Sequence, residues 1–217
     1  MKTLLKGALL TSALLTSSLS FADQSFAQPQ QPTAQSASGK FYIGASVNYT
    51  HSDWKTMLGA NGTSFTDWKN STGGIGFGAY AGYMMTNHIG AELGWNRAPT
   101  VKFNLSYQSS PYVATSISTN MFYAAFVMSN QLPIAQNITM FLKVGPGYQR
   151  VHVTGGTDAI NSMNAIGLYG AVGLTYAITP NIGISAQAAG LSGQTNHNKG
   201  QYTTNPYIYS VSLAYLF

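Results

Sequence analysis

The sequence predicts an all-β fold, an eight-stranded antiparallel up-and-down transmembrane β-barrel. Three observations predict it. Only 7% of the 217 residues are charged while 45% are apolar, against about a quarter charged in an ordinary soluble domain. Gly, Asn, Ser and Thr nevertheless interrupt the chain so often that no apolar run of about 20 residues, the length a membrane helix needs, exists past the N-terminus. Apolar residues instead recur at every second position, and short connections alternate with long ones, as at the two ends of a membrane barrel.

Taken in order, the first strand sets Phe41, Ile43, Ala45, Val47 and Tyr49 against Gly44, Ser46, Asn48 and Thr50. One face is large and apolar, the other small or polar. The second sets Ile75, Phe77, Ala79, Ala81 and Tyr83 against Gly74, Gly76, Gly78, Tyr80 and Gly82, and the third Ile89, Ala91, Leu93 and Trp95 against Gly90, Glu92, Gly94 and Asn96. The fourth, around Asn120 to Met128, is apolar on both faces and its phase stays open. The fifth alternates Ile138, Met140, Leu142 and Val144 with Thr139, Phe141, Lys143, Gly145 and Gly147. Ile166, Leu168, Val172, Leu174 and Tyr176 oppose Gly167, Tyr169, Gly173 and Thr175 in the sixth; Ile182, Ile184 and Ala186 oppose Gly183, Ser185 and Gln187 in the seventh. The last sets Tyr207, Tyr209, Val211, Leu213, Tyr215 and Phe217 against Ser210, Ser212 and Ala214.

Thr86-Asn87-His88, residues 131–137 and Thr179-Pro180-Asn181 read as tight turns, and the linkers near 53–72, 104–114, 155–162 and 192–205 as longer polar loops. Closure into a barrel removes sheet edges, whose unpaired backbone groups would each cost several kcal/mol in lipid. A soluble lipocalin-type barrel would carry charges on its outer face, and here that face has almost none. Small inward residues suit the narrow lumen of eight strands. Phe41, Tyr83, Tyr176, Tyr215 and Phe217 fall near the short-turn end and Tyr49, Trp95, Tyr148 and Tyr209 near the other, two girdles at the two interfaces.

Before the barrel, Lys2 and Lys6 precede the apolar stretch Ala8-Leu9-Leu10 and Leu14-Leu15, and Ser20-Phe21-Ala22 precedes Asp23. Residues 1–22 are expected to be a secretory signal peptide, residues 23–39 a flexible periplasmic lead-in rich in Gln, Pro, Ser and Ala, and 40–217 the barrel. Ten basic and five acidic residues become eight and five once Lys2 and Lys6 leave, so the basic balance gives no reason to expect nucleic acid. Without any cysteine, stability has to come from the fold.

These residues resemble the eight-stranded barrels of Gram-negative outer membranes related to the OmpA transmembrane domain, OmpX and the opacity proteins. The resemblance covers about residues 40 to 217 and is carried by Tyr176-Ala177-Ile178-Thr179-Pro180-Asn181-Ile182, by Leu132-Pro133-Ile134 leading into Ile138 to Gly145, and by Ile89-Gly90-Ala91-Glu92-Leu93-Gly94-Trp95. It implies a location in the cell outer membrane of a Gram-negative bacterium. The C-terminal series Tyr209, Val211, Leu213, Tyr215 and Phe217 resembles the signal read by the outer-membrane assembly machinery. The family's lumenal charges are matched here by Glu92 and Lys143, whereas Ser129, Thr175 and Ser185 stand where other members carry charge.

Glu92 and Lys143 are the ionisable residues at the centres of predicted strands, both on the small-residue face. A mid-membrane charge on the lipid side costs about 2–4 kcal/mol for Lys and less for Glu, so both are expected in the lumen, paired across it. Asp53-Trp54-Lys55 and Asp67-Trp68-Lys69 flank Asn61-Gly62 in the first long loop. An Asn-Gly hairpin turn there would set Lys55 opposite Trp68 and Trp54 opposite Lys69, giving cation–π contacts of about 0.5–1 kcal/mol each. Those four residues read either as interface anchors or as a binding patch for a host or surface ligand.

Other patterns carry no chemistry. Gly74, Gly76, Gly78 and Gly82 share one parity and precede no helix, so they are lumen-facing positions of a strand and not a phosphate loop. His51, Ser52 and Asp53 alternate faces and cannot align as a triad. His88, His152 and His197 fall at separate turns or strand ends without metal-ligand spacing. The expectation is therefore a non-enzymatic barrel without cofactor or metal, held in outer-membrane lipid, serving envelope integrity and adhesion through its loops. A narrow porin-like channel for ions or small solutes is the alternative reading, and a lipid-modifying barrel enzyme the third.

Overall fold

Alternation along the sequence becomes alternation across a wall. The computed structural model describes residues 39–51, 73–105, 113–154, 163–197, 200–204 and 206–217. They form ten strand segments: β1 (Lys40–His51), β2 (Gly73–Met84), β3 (Ile89–Arg97), β4 (Val101–Leu105), β5 (Val113–Leu132), β6 (Ala135–Thr154), β7 (Met163–Ala177), β8 (Ile182–His197), β9 (Gly200–Thr204) and β10 (Tyr207–Leu216). All pairings are antiparallel, each stave lies beside its neighbour in sequence, and β10 pairs with both β8 and β1, which closes the barrel.

Ten segments make eight staves because two staves are interrupted. β3 and β4 both run along β5. Arg97 faces Asn120 and Val101 faces Ile117, so four steps on one stave match three on the other, and one residue of Ala98-Pro99-Thr100 is extra. This is a bulge, and it tolerates Pro99 because a bulged residue owes no ladder bond. The break between β9 and β10 is of another kind. Gly193 faces Thr204 and Gly190 faces Tyr207, an unshifted register across Pro206, whose missing N–H interrupts the ladder without bending it.

Following partners around the wall gives Phe41, Tyr83, Ala91, Phe126, Val144, Gly170, Gly190, Tyr207 and then His51. The walk returns to β1 ten residues above its start, the stagger that tilts the staves as closure requires. Every residue on that path lies on the outer face.

The outer face is apolar, with Phe41, Ile43, Val47, Ile75, Phe77, Leu93, Ile166, Leu168, Val211 and Leu213 all exposed. Inward positions hold buried Ser46, Asn48, Thr50, Glu92, Asn96, Lys143, Gln149, Ser185, Ser210 and Ser212 among apolar residues. β5 now has a phase: Met121, Tyr123, Ala125 and Val127 face in, and Phe122, Phe126 and Met128 face out. Its ambiguity in sequence came from an inward side that is itself apolar.

Two of the three tight turns share one device. Thr86 Oγ1 accepts from the backbone N–H of His88 (3.2 Å) and Ile89 (3.0 Å), and Thr179 Oγ1 from that of Asn181 (3.3 Å) and Ile182 (3.0 Å). At the other end the long connections near 53–72 and 155–162 lie outside the described residues. Two expected loops are shorter than the sequence suggests: β4 and β5 reach Leu105 and Val113, and most of 192–205 is strand, since β8 continues to His197 and β9 starts at Gly200. Polar composition marks those segments as outside lipid and does not decide whether they pair.

Candidate functional site

Glu92 on β3 and Lys143 on β6 face inward because Leu93 and Val144, their neighbours in sequence, face out. In register Glu92 lies between Gly82 and Ala125, and Lys143 between Val127 and Ala171. Mostly small neighbours leave both side chains room to meet over the inner face of the intervening β5. Lys143 Nζ lies 2.7 Å from Glu92 Oε1 and 2.9 Å from Oε2. Both side chains are almost wholly buried, with 7% and 1% of their surface accessible.

Two phenols complete the carboxylate's shell. Tyr42 donates to Oε2 at 2.9 Å and Tyr123 to Oε1 at 2.8 Å. They reach it because their rings lie over glycines: Tyr42 is the register partner of Gly82 and Tyr123 that of Gly94, and a Cβ on either glycine would overlap the facing ring. The ammonium sits 4.9 Å from the ring centroids of both Tyr80 and Phe141, cation–π contacts that replace part of its lost hydration. Tyr80 in turn donates to Ser212 Oγ at 3.1 Å. A buried pair repays its desolvation only when such additional bonds are present, and here they come from four staves.

Toward the long-connection end an apolar group stands among buried polar side chains, Met121 lying in register between Asn96 and Gln149 and Ile208 opposite Thr50. Tyr123 stacks on Tyr169, centroids 4.1 Å apart and planes at 13°. Met121, Leu191 and Ile208 pack around them. Toward the short-turn end Thr175 and Ser185 share a 2.8 Å hydrogen bond at positions where the resemblance implies charges.

The C-terminal series lies apart from the lumen. Tyr209, Val211, Leu213, Tyr215 and Phe217 project outward along β10 and its end, roughly half exposed. Phe217 N donates to Phe41 O (2.9 Å), Leu216 N to Asn181 O (2.8 Å), and Asn181 Nδ2 to Leu216 O (2.8 Å). Trp54, Lys55, Trp68 and Lys69 lie outside the described residues. His88 sits in a short turn with Nδ1 3.1 Å from Ser129 O, while His152 is within β6 and His197 ends β8. Sequence reasoning missed Tyr42, Tyr80 and Tyr123 as partners of the ion pair. The available signal was an inward Tyr facing an inward Gly once the strands are registered.

A closed wall with an apolar exterior, aromatic residues at its ends and its charged pair sealed inside defines a transmembrane β-barrel. The chain belongs to the outer membrane protein beta-barrel domain family, whose model matches residues 12–217. No curated protein matches the sequence. Among solved structures it is similar to OprG from Pseudomonas aeruginosa (12% identity, 85% of this chain and 99% of that one, TM-score 0.56). It is also similar to Neisserial surface protein A (18%, 81% and 96%, TM-score 0.52). A third is Ail, the attachment invasion locus protein of Yersinia pestis, in complex with the heparin analogue sucrose octasulfate (14%, 83% and 99%, TM-score 0.50). At these identities the likeness is one of fold, and the family's setting is the Gram-negative outer membrane.

Proposed function

We propose that the protein is a non-enzymatic outer-membrane barrel whose surface loops contact the surroundings or a host surface while the barrel contributes to envelope integrity. One observation carries the reading: side chains fill the lumen. Glu92, Lys143 and the tyrosines around them occupy the section through which solute would pass, and the apolar group of Met121, Tyr169, Leu191 and Ile208 follows. With the interior filled, contact chemistry falls to the loops. Trp54, Lys55, Trp68 and Lys69 are the candidates there, two cations and two aromatics suited to a sulfated or otherwise anionic polymer. Ail, which holds a heparin analogue, supports that ligand class by similarity of fold.

Two further proposals belong with this one. The outward series ending in Phe217 is the signal for the assembly machinery, and cleavage after Ala22 releases the mature chain into the periplasm. Heparin binding by the full mature chain in phospholipid nanodiscs tests the loop reading. Wild type is expected to bind in a salt-sensitive manner, and W54A/K55A/W68A/K69A to lose most of that binding with the barrel still folded. Undiminished binding by the variant would sink the assignment. The channel reading predicts steady single-channel currents from wild type in a planar bilayer, and such currents would displace the filled-lumen argument.

A further inference from the structure

We infer that the outer face of staves β3, β5 and β6 is a binding site for a phosphate-bearing glycolipid of the outer leaflet. Its headgroup lies between Arg97 and Arg150, and an acyl chain lies in the cleft beneath. Arg97 faces Asn120 and Asn120 faces Arg150, so the three form one row on the lipid side of adjacent staves. Both arginines are exposed. The two Cα atoms are two strand spacings apart, about 10 Å, which lets both guanidinium groups converge on one phosphate. Trp95 Nε1 donates to Asn120 Oδ1 at 3.2 Å, which fixes the amide and turns its NH2 away from Trp95 as a third donor. Lys102, exposed on β4 opposite Ser116, adds positive charge further out. Among the described residues Glu92 is the one side-chain carboxylate, and it is sealed in the lumen, so this row meets no described side-chain carboxylate on its own face.

Directly toward the membrane the next outward row is Trp95, Phe122, Tyr148 and Ile166, paired in that order. Trp and Tyr mark the interface level, where an outward Arg costs little and stands at phosphate height. From this row toward the membrane runs a shallow, open cleft of about 350 Å³ on the wall, lined by Phe122, Ala124, Pro146, Tyr148 and Ile166. Its cause is local. The β5–β6 ladder passes from Tyr123–Gly147 to Phe126–Val144 without pairing Ala124 and Ala125, opposite a Pro that has no N–H and a Gly that has no side chain. A cationic row, an aromatic row and an apolar cleft in sequence match a headgroup, its interface and a chain. The short turns lie at the other end, so this row faces the outer leaflet.

Native mass spectrometry of the full mature chain, released from vesicles containing lipid A, tests the assignment. Wild type is expected to retain diphosphorylated lipid A about tenfold or more over dephosphorylated lipid A and over phosphatidylglycerol, the ratio expected from losing charge-assisted bonds. R97A/R150A is expected to lose that preference while keeping its heat-dependent gel mobility, because both side chains are exposed. A124W, which fills the cleft, is expected to weaken retention with the arginines intact. Equal retention of the dephosphorylated form by wild type, equal retention of phosphatidylglycerol, or an unchanged preference in R97A/R150A would each overturn it.

Discussion

At the residue scale the lumen is organised by pairs of glycine and aromatic side chains. Gly44 faces Tyr80, Gly82 faces Tyr42, Gly94 faces Tyr123 and Gly173 faces Phe141, and a Cβ on any of these glycines would overlap the ring opposite. Gly94→Ala should therefore displace Tyr123 from Glu92 and cost about 1–3 kcal/mol, the usual range for overpacking. Gly170→Ala, where a Cβ meets nothing within 4 Å, should leave urea unfolding in micelles unchanged. The ion pair gives a second contrast. Lys143→Met strands a buried carboxylate and should cost about 3–5 kcal/mol, whereas E92L/K143M removes both charges and should recover most of that loss. Equal midpoints for the single and double variants would show that the charges do not act as a pair. Parity alone marks Glu92 and Lys143 as inward in the sequence. Parity does not reveal Tyr42 or Tyr123 as their partners, because which Gly lies under which ring depends on register, and register is fixed only when neighbouring staves are aligned.

Strand by strand, sequence and structure part company where two demands meet in one segment. For β1, β2 and β10, whose outward positions are apolar and inward ones mostly small or polar, the alternation is legible residue by residue. β5 is not, because Met121, Tyr123 and Val127 build the apolar filling from the inside while Phe122 and Phe126 face lipid. Length is the other loss. β1 has 12 residues and β6 has 20; at about 3.3 Å per residue and a tilt near 40°, these rise about 30 and 50 Å, against an apolar band of about 25 Å. The excess of β6 stands beyond the apolar band, which is why Arg150 and His152 sit within a strand that polarity alone would have ended earlier. β10 carries the prediction at this scale. It closes the wall against β1 and β8, and its end is held by Phe217 N to Phe41 O and by the Asn181 amide to Leu216 O. Deleting Phe217 removes the first of these bonds and the terminal outward ring together. The heat-modifiable fraction recovered from outer membranes should fall several-fold, while Asn181→Ala, losing one partly exposed bond of about 0.5–1.5 kcal/mol, should assemble nearly normally.

For the molecule as a whole, eight staves with a stagger of ten residues enclose a bore that side chains can fill, and the question is which of them seal it. Two groups stand in series: the Glu92–Lys143 cluster, and the stacked Tyr123 and Tyr169 with Met121, Leu191 and Ile208. Charges and hydroxyls can exchange partners with water, so an ion could pass the first group by transient solvation. In the second, rings and alkyl groups take up most of the section and replace hydration with nothing, the polar side chains beside them in register being Thr50, Asn96 and Gln149. The seal therefore belongs to the apolar group, and the ion pair holds its rings in position through the Tyr123 hydroxyl. Wild type in a planar bilayer should be silent, and E92Q/K143Q should show at most brief openings. Y123A/Y169A, with two large rings gone, should conduct steadily despite an intact ion pair. Heat-modifiable mobility of each variant separates an opened barrel from an unfolded one. Steady conductance from E92Q/K143Q together with a silent Y123A/Y169A would reverse the assignment and make the charged cluster the seal.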